Sequence, residues 1–189
     1  MRTPVIALLG SVTYATARYN VFKGVPWCDW PTYTLNKALA LSALCLMVIS
    51  VGGKSSAPGN PKARAVQMAS VFGFLHVMLS LVLLSPAYYE RLFVEGRLTA
   101  AAGLSMLLGV VAAAAMAGGK GTRRAEDASG GPRNLALLAL VVGFHAMLLG
   151  FAGWFAPSEW PGMMPPITLI AFLLGLAAVT IALPPRRTT

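Results

Sequence analysis

The chain has 189 residues, 57% hydrophobic and only 11% charged, with a mean hydropathy of +0.69 and a formal net charge of +9. A water-soluble domain carries roughly 25% charged and 45–50% apolar residues, so this composition excludes one and places the chain in lipid. The 15 basic residues lie in short segments between apolar runs, not on a stripe or an amphipathic basic helix, which excludes a nucleic-acid surface.

A bilayer core of about 30 Å takes about 20 mostly apolar residues per helix, within a range of roughly 17–25. Six windows meet this. The first, 4–22, follows one Arg as a signal peptide would, yet residues 5–17 include Thr13, Tyr14 and Thr16 and no clean cleavage site, so a retained helix is expected. Arg18 falls near its end, where a long basic side chain snorkels to the headgroups. The following windows are 33–51, 66–84, 98–118, 134–155 and 166–183. Pro61, Pro86, Pro132, Pro157, Pro165, Pro184 and Pro185 fall at or just outside their boundaries, where proline punctuates helices. The expected fold is all-α: one integral membrane bundle of about six transmembrane helices over 1–189. Residues 118–131 read as a Gly-rich, charged connector, and no internal repeat is strong enough to use. Cys28 lies in a loop and Cys45 in an apolar run; their different depths predict no structural disulfide.

With six spans, the N-terminus, the 52–65 loop, the 119–133 loop and the C-terminus share one side. That side carries Arg2, Lys54, Lys62, Arg64, Lys120, Arg123, Arg124, Arg133, Arg186 and Arg187, against Arg18, Lys23, Lys37, Arg91 and Arg97 on the other. The positive-inside rule then puts both termini in the cytoplasm of a cell with this chain in its inner or plasma membrane. The far side collects Tyr19, Phe22, Trp27, Trp30, Tyr33, Tyr88, Tyr89, Phe93, Trp154 and Trp160, which include every Trp of the chain. An aromatic belt at the outer headgroup layer accounts for them, with Tyr88 and Tyr89 after Pro86 fitting it well. A docking surface for another membrane or periplasmic protein, through Trp27, Trp30, Trp154 and Trp160, is the competing reading; the long loop around Trp27-Cys28-Asp29-Trp30 leans towards contact. Lys23, Arg91 and Arg97 read as solvated loop charge.

The chain has only two histidines, and both fall inside apolar spans: His76 in Phe72-Gly73-Phe74-Leu75-His76 and His145 in Val142-Gly143-Phe144-His145. Ionisable groups within a bilayer are costly and mark function by default. His76 lies about ten residues from the start of the third window and His145 about eleven from the start of the fifth. These helices run the same way, so at roughly 1.5 Å per residue the imidazoles reach similar depth, near mid-membrane. Two neutral imidazoles facing each other across a bundle suit the axial positions of a b-type haem. Gly73 and Ala69 lie below His76 on the same face and Ser80 lies above, so Gly73 is expected to leave room for a flat macrocycle. Taken singly, either histidine is read more simply as a hydrogen-bonding residue between helices, with the small residues as packing positions.

Six helices with His in the third and fifth resemble the ferric-reductase-like transmembrane domain superfamily, which includes haem-binding subunits of periplasmic methionine sulfoxide reductases, NADPH oxidases and the STEAP metalloreductases. The resemblance is carried by Asn36-Lys37-Ala38-Leu39-Ala40-Leu41, by a basic loop ending at Arg64 before Val71-Phe72-Gly73-Phe74-Leu75-His76, and by Leu98-Thr99-Ala100-Ala101-Ala102-Gly103, within residues 35–183. It implies haem b held by His76 and His145 as metal ligands, with Gly73 in the cofactor site. Two-haem members use two His on each ligating helix; one His per helix is similar to the single-haem STEAP arrangement. No flavin or nicotinamide domain follows, so the expected electron donor is another protein or a quinone.

Asp29, Glu90, Glu95, Glu126, Asp127 and Glu159 are all in predicted loops, which disfavours a transporter built on a buried carboxylate relay. No CxxC, HExxH, P-loop or G-x-S-x-G occurs, so hydrolysis has no support. The expected function is electron transfer by a haem-b-binding membrane subunit. The alternative is a non-redox accessory subunit packing against a larger membrane complex.

Overall fold

A computed structural model of the protein describes residues 2–53, 61–117 and 131–183. The described residues are all-α apart from one hairpin of two-residue strands. Helix α1 (Arg2–Thr16) runs on through a π-helical turn, Ala17–Phe22. Short helical turns at Trp27–Asp29 and Trp30–Thr34 lead into α2 (Leu35–Gly52). Then come α3 (Pro61–Val82), α4 (Ala100–Ala117), α5 (Gly131–Gly150) and α6 (Ile167–Ala182), with three 3-10 turns between the last two.

Among the described residues four helical stretches are long and apolar enough to cross a membrane: Trp27–Gly52, Lys62–Val82, Gly131–Phe155 and Pro161–Ala182; Ala100–Met116 is apolar but shorter. The α1 stretch does not reach that standard, because polar and basic residues dilute it. The expected windows all fall on helices, with shifted ends. Helix α3 starts at Pro61, five residues before the apolar window, because Pro is well suited to a first helical turn whose N–H needs no partner. Lys62 and Arg64 then prolong the helix beyond its apolar part. Helix α4 starts after Leu98, which belongs instead to the hairpin pairing Phe93 with Leu98 and Val94 with Arg97. Its turn, Glu95-Gly96, has positive φ at both residues, the backbone that a two-residue hairpin demands. Thr99 caps α4, its Oγ1 accepting the Ala102 N–H at 3.2 Å. Lys54, Lys120, Arg123, Arg124, Glu126, Asp127, Pro184, Pro185, Arg186, Arg187, Gly118 at the end of the fourth window and most of the 118–131 connector lie outside the described residues.

Helix α2 is the axis of the bundle. It packs on α1, α3, α5 and α6, and Leu44, Leu46, Met47, Ser42 and Ser50 on it are almost fully buried. The two buried serines return their hydroxyls to the carbonyls of Ala38 and Leu46 at 2.7 and 2.6 Å, which satisfies them without a partner helix. Helix α3 meets α2 through Ala65, Ala69 and Phe72, a 3–4-residue stripe that continues to His76, whereas Val71, Phe74, Leu75 and Met78 face outward. Helices α5 and α6 approach most closely: a Cβ on Gly175 would stand 2.8 Å from the Ala139 carbonyl oxygen, and one on Gly143 3.2 Å from Phe172 Cα. Small residues permit such backbone approach, and in lipid, where hydrophobic driving force between helices is absent, van der Waals contact of this kind holds them together.

Candidate functional site

His76 and His145 meet. Their ring centroids are 6.4 Å apart and the planes are inclined at 77°, although α3 and α5 both pack on α2 and make little direct contact with each other. The sequence places the two imidazoles at equal depth, and the structure brings them side by side. It also corrects where on their helices they sit. Because α3 starts at Pro61 and α5 at Gly131, the histidines follow those starts by 15 and 14 residues. Roughly 8–9 Å of helix remains beyond each at the C-terminal end.

Each ring is fixed by a residue of the preceding helix, 40 positions earlier in both cases. Nδ1 of His76 lies 2.7 Å from Asn36 Oδ1 and 3.1 Å from the Asn36 carbonyl oxygen. Nδ1 of His145 lies 2.6 Å from the Ser105 carbonyl oxygen and 2.9 Å from Ser105 Oγ. The partners settle the tautomer. Asn36 Nδ2 donates to Ser80 Oγ at 2.9 Å and to Tyr89 Oη at 3.4 Å, so its Oδ1 accepts. The Ser105 hydroxyl donates to the His145 carbonyl at 3.0 Å, so its oxygen is also an acceptor. Each Nδ1 therefore carries the proton and donates, which leaves the lone pair on Nε2 of both rings. Burial raises the Tyr89 phenol above its usual range, so this group stays protonated at the rim of the network.

The surroundings explain why the sequence folds this way. Asn36, Ser80 and Ser105 are the polar groups that two imidazoles in apolar helices need, since an unpaired buried donor costs about 1–3 kcal/mol. Ala102, Ser105 and Ala112 form the buried stripe of α4, with Gly109 on the same side at 3–4-residue spacing. A Cβ on Gly109 would lie 3.1 Å from His145 Cε1; the glycine lets α4 pass beside the ring. Asn36 and Ser105 were not legible as site residues, because nothing in the spacing says which polar residue of a neighbouring helix meets which histidine. The available signal was a solitary Asn inside an apolar helix.

Gly73 sits one turn before His76 on α3. A Cβ there would meet Met116 Sδ at 3.6 Å and Ala43 Cβ at 4.0 Å, so this glycine makes room for Met116 where α2, α3 and α4 converge. Ala69 is fully buried against α2. Ser80, one turn above His76, enters the network through Asn36. Among the described residues no three His, Cys, Asp or Glu gather as a metal cage.

The four tryptophans divide. Trp30 Nε1 donates to Thr16 Oγ1 at 2.8 Å, Trp154 Nε1 to Thr168 Oγ1 at 3.0 Å and Trp160 Nε1 to the Gly153 carbonyl at 2.9 Å. Trp27 is 64% exposed. Tyr33, Tyr88 and Tyr89 form a chain of ring contacts, at 6.3 and 5.1 Å, that ends on Asn36 through the Tyr89 hydroxyl. No protein-family model, curated protein or solved structure matches this chain.

Proposed function

We propose that the chain is a six-span membrane subunit that holds one b-type haem between His76 and His145 and carries electrons within or across the membrane. The observation that carries the reading is the pair of adjacent imidazoles, each with Nδ1–H tied to a carbonyl oxygen and Nε2 left with its lone pair. Two metal–nitrogen bonds of about 2 Å, each extended by about 1.1 Å from nitrogen to ring centre, require centroids roughly 6 Å apart. The observed 6.4 Å fits.

When bound, haem supplies a one-electron carrier; the residues supply its setting. The Nδ1–H donations to Asn36 and Ser105 orient the rings and raise the basicity of Nε2, as outer-shell acceptors do for ligating histidines. Apolar helices around the pair exclude water and lower the dielectric, which acts on the potential. Both termini lie in the cytoplasm in this reading, supported by the basic-residue bias. The α1 stretch becomes the first span with its π-helical extension to Phe22, and Ala100–Met116 the fourth. The electron donor in this reading is a quinone or another protein.

Reduced-minus-oxidised absorbance of the protein, prepared with haem supplied, tests the proposal. It predicts a shifted Soret band with sharp α and β bands. Flat difference spectra would leave the second reading, a non-redox accessory subunit, for which exposed Trp27 at the outer end is the supporting feature.

A further inference from the structure

Three basic side chains gather on one tyrosine at the end of α1. Arg18 Cζ lies 5.7 Å, Lys23 Nζ 5.8 Å and Lys37 Nζ 5.3 Å from the Tyr19 ring centroid, and Lys37 is also 4.3 Å from the centroid of Tyr33. Tyr19 and Tyr33 meet edge to face at 5.5 Å. The rings attract these cations through their faces, yet a ring carries no net charge, and three like charges around it repel one another.

Arg18 is the most constrained of the three. Only 6% of it is exposed, Nη1 donates to the Met164 carbonyl, and Nε has no hydrogen-bond partner. Neither Arg18 nor Lys37 forms an ion pair among the described residues. Holding the Arg18 guanidinium away from water without a counter-charge is costly, so this arrangement calls for an anion. Its place names the source. The cluster lies where α1 ends, α2 begins and the loop before α6 passes, beside the Tyr and Trp residues read as an aromatic belt; in the six-span arrangement proposed above, on which the outer-leaflet placement rests, this is the depth of lipid phosphates.

We infer that Arg18, Lys37 and Lys23 around Tyr19 and Tyr33 form a binding site for the phosphodiester of an anionic phospholipid headgroup in the outer leaflet. The long side chains reach the phosphate oxygens while their stems stay on the rings, and the bound lipid fastens α1 to α2 and to the Met164 segment. This site is independent of haem binding.

Native mass spectrometry of the full chain released from detergent, with phosphatidylglycerol, phosphatidylcholine or inorganic phosphate added separately, tests it. The expected result is one phosphatidylglycerol per chain retained at collision energies that strip phosphatidylcholine. Lys37→Gln should weaken that retention about tenfold or more and Lys37→Arg should preserve it; Lys37 carries the test even if Arg18→Gln fails to fold. Equal retention of both lipids, or a Lys37→Gln protein that keeps the adduct unchanged, would overturn the inference. Competition by inorganic phosphate at equal concentration would replace it with a free-anion site.

Discussion

The carboxamide oxygen of Asn36 stands 2.7 Å from Nδ1 of His76, and this one contact ties the central helix of the bundle to the candidate ligand. Replacing Asn36 with Leu removes the stronger acceptor and leaves only the backbone oxygen at 3.1 Å. A less basic Nε2 stabilises ferric iron less, so the haem potential should rise. Haem affinity should fall by roughly 10–100-fold, the range for outer-shell partners. Potentiometric titration and haem content check both. A variant with unchanged potential and retention would mean that the carboxamide does not act on a bound metal.

Gly109 offers a separate handle on the other imidazole. In Gly109→Ala the new Cβ would sit 3.1 Å from His145 Cε1, so the ring must give by a few tenths of an ångström. Helix propensity gains about 1 kcal/mol from the change, so the fold should survive. The expected effect is therefore spectral: a shifted low-spin signal from a displaced His145, seen by electron paramagnetic resonance. An altered unfolding midpoint with an unaltered signal would place the strain in helix packing instead.

How much of this was legible follows from what each signal measures. Hydropathy marks where a helix meets lipid, so the windows fall on the long helices of the described residues, but their ends drifted wherever a helix outlasts its apolar part, as α3 does between Pro61 and Val66. The equal offsets of His76 and His145 carried their meeting, because two helices running the same way translate offset into depth. Spacing could not show that Asn36 and Ser105 hold them, or that Gly73 faces Met116, since those depend on how α2 and α4 rotate about their axes. The 40-residue relation between each histidine and its acceptor is likewise invisible without the fold, because Asn and Ser share no sequence signal.

Close packing of α5 on α6 gives a stability test free of the cofactor. Gly175→Ala would put a Cβ 2.8 Å from the Ala139 backbone oxygen, which the helices can relieve only by separating. A loss of roughly 1–3 kcal/mol is expected. Gly10→Ala meets nothing within 4 Å and should be neutral or gain up to about 1 kcal/mol. Unfolding midpoints in one detergent rank the two; equal midpoints would contradict the packing described.

Topology and the outer surface can be probed together. Reporter fusions after Thr189 and within 52–65 should both read cytoplasmic, and a periplasmic signal from either breaks the six-span arrangement. For the tryptophans, if the outer end is a docking surface, Trp27→Ala should release a co-purifying partner without changing thermal stability, because Trp27 is exposed. Trp30→Ala should lower stability by about 1 kcal/mol, the scale of a lost hydrogen bond to Thr16. Unchanged subunit composition in Trp27→Ala would return Trp27 to the aromatic belt.

The most direct measurement is haem content and low-temperature spectrum of the wild type beside His76→Ala and His145→Ala. Met78 and Met147 cannot substitute, since each is two residues from its histidine and projects roughly 200° around the helix. Leu79→Ala serves as the control, removing apolar contact and no ligand. The account predicts one haem per wild-type chain with a low-spin bis-imidazole spectrum, lost in each histidine variant and kept in Leu79→Ala. A histidine variant with full haem and an unaltered spectrum, or a wild-type protein that takes up no haem when it is supplied, would contradict it and return both imidazoles to the role of interhelical hydrogen-bonding groups.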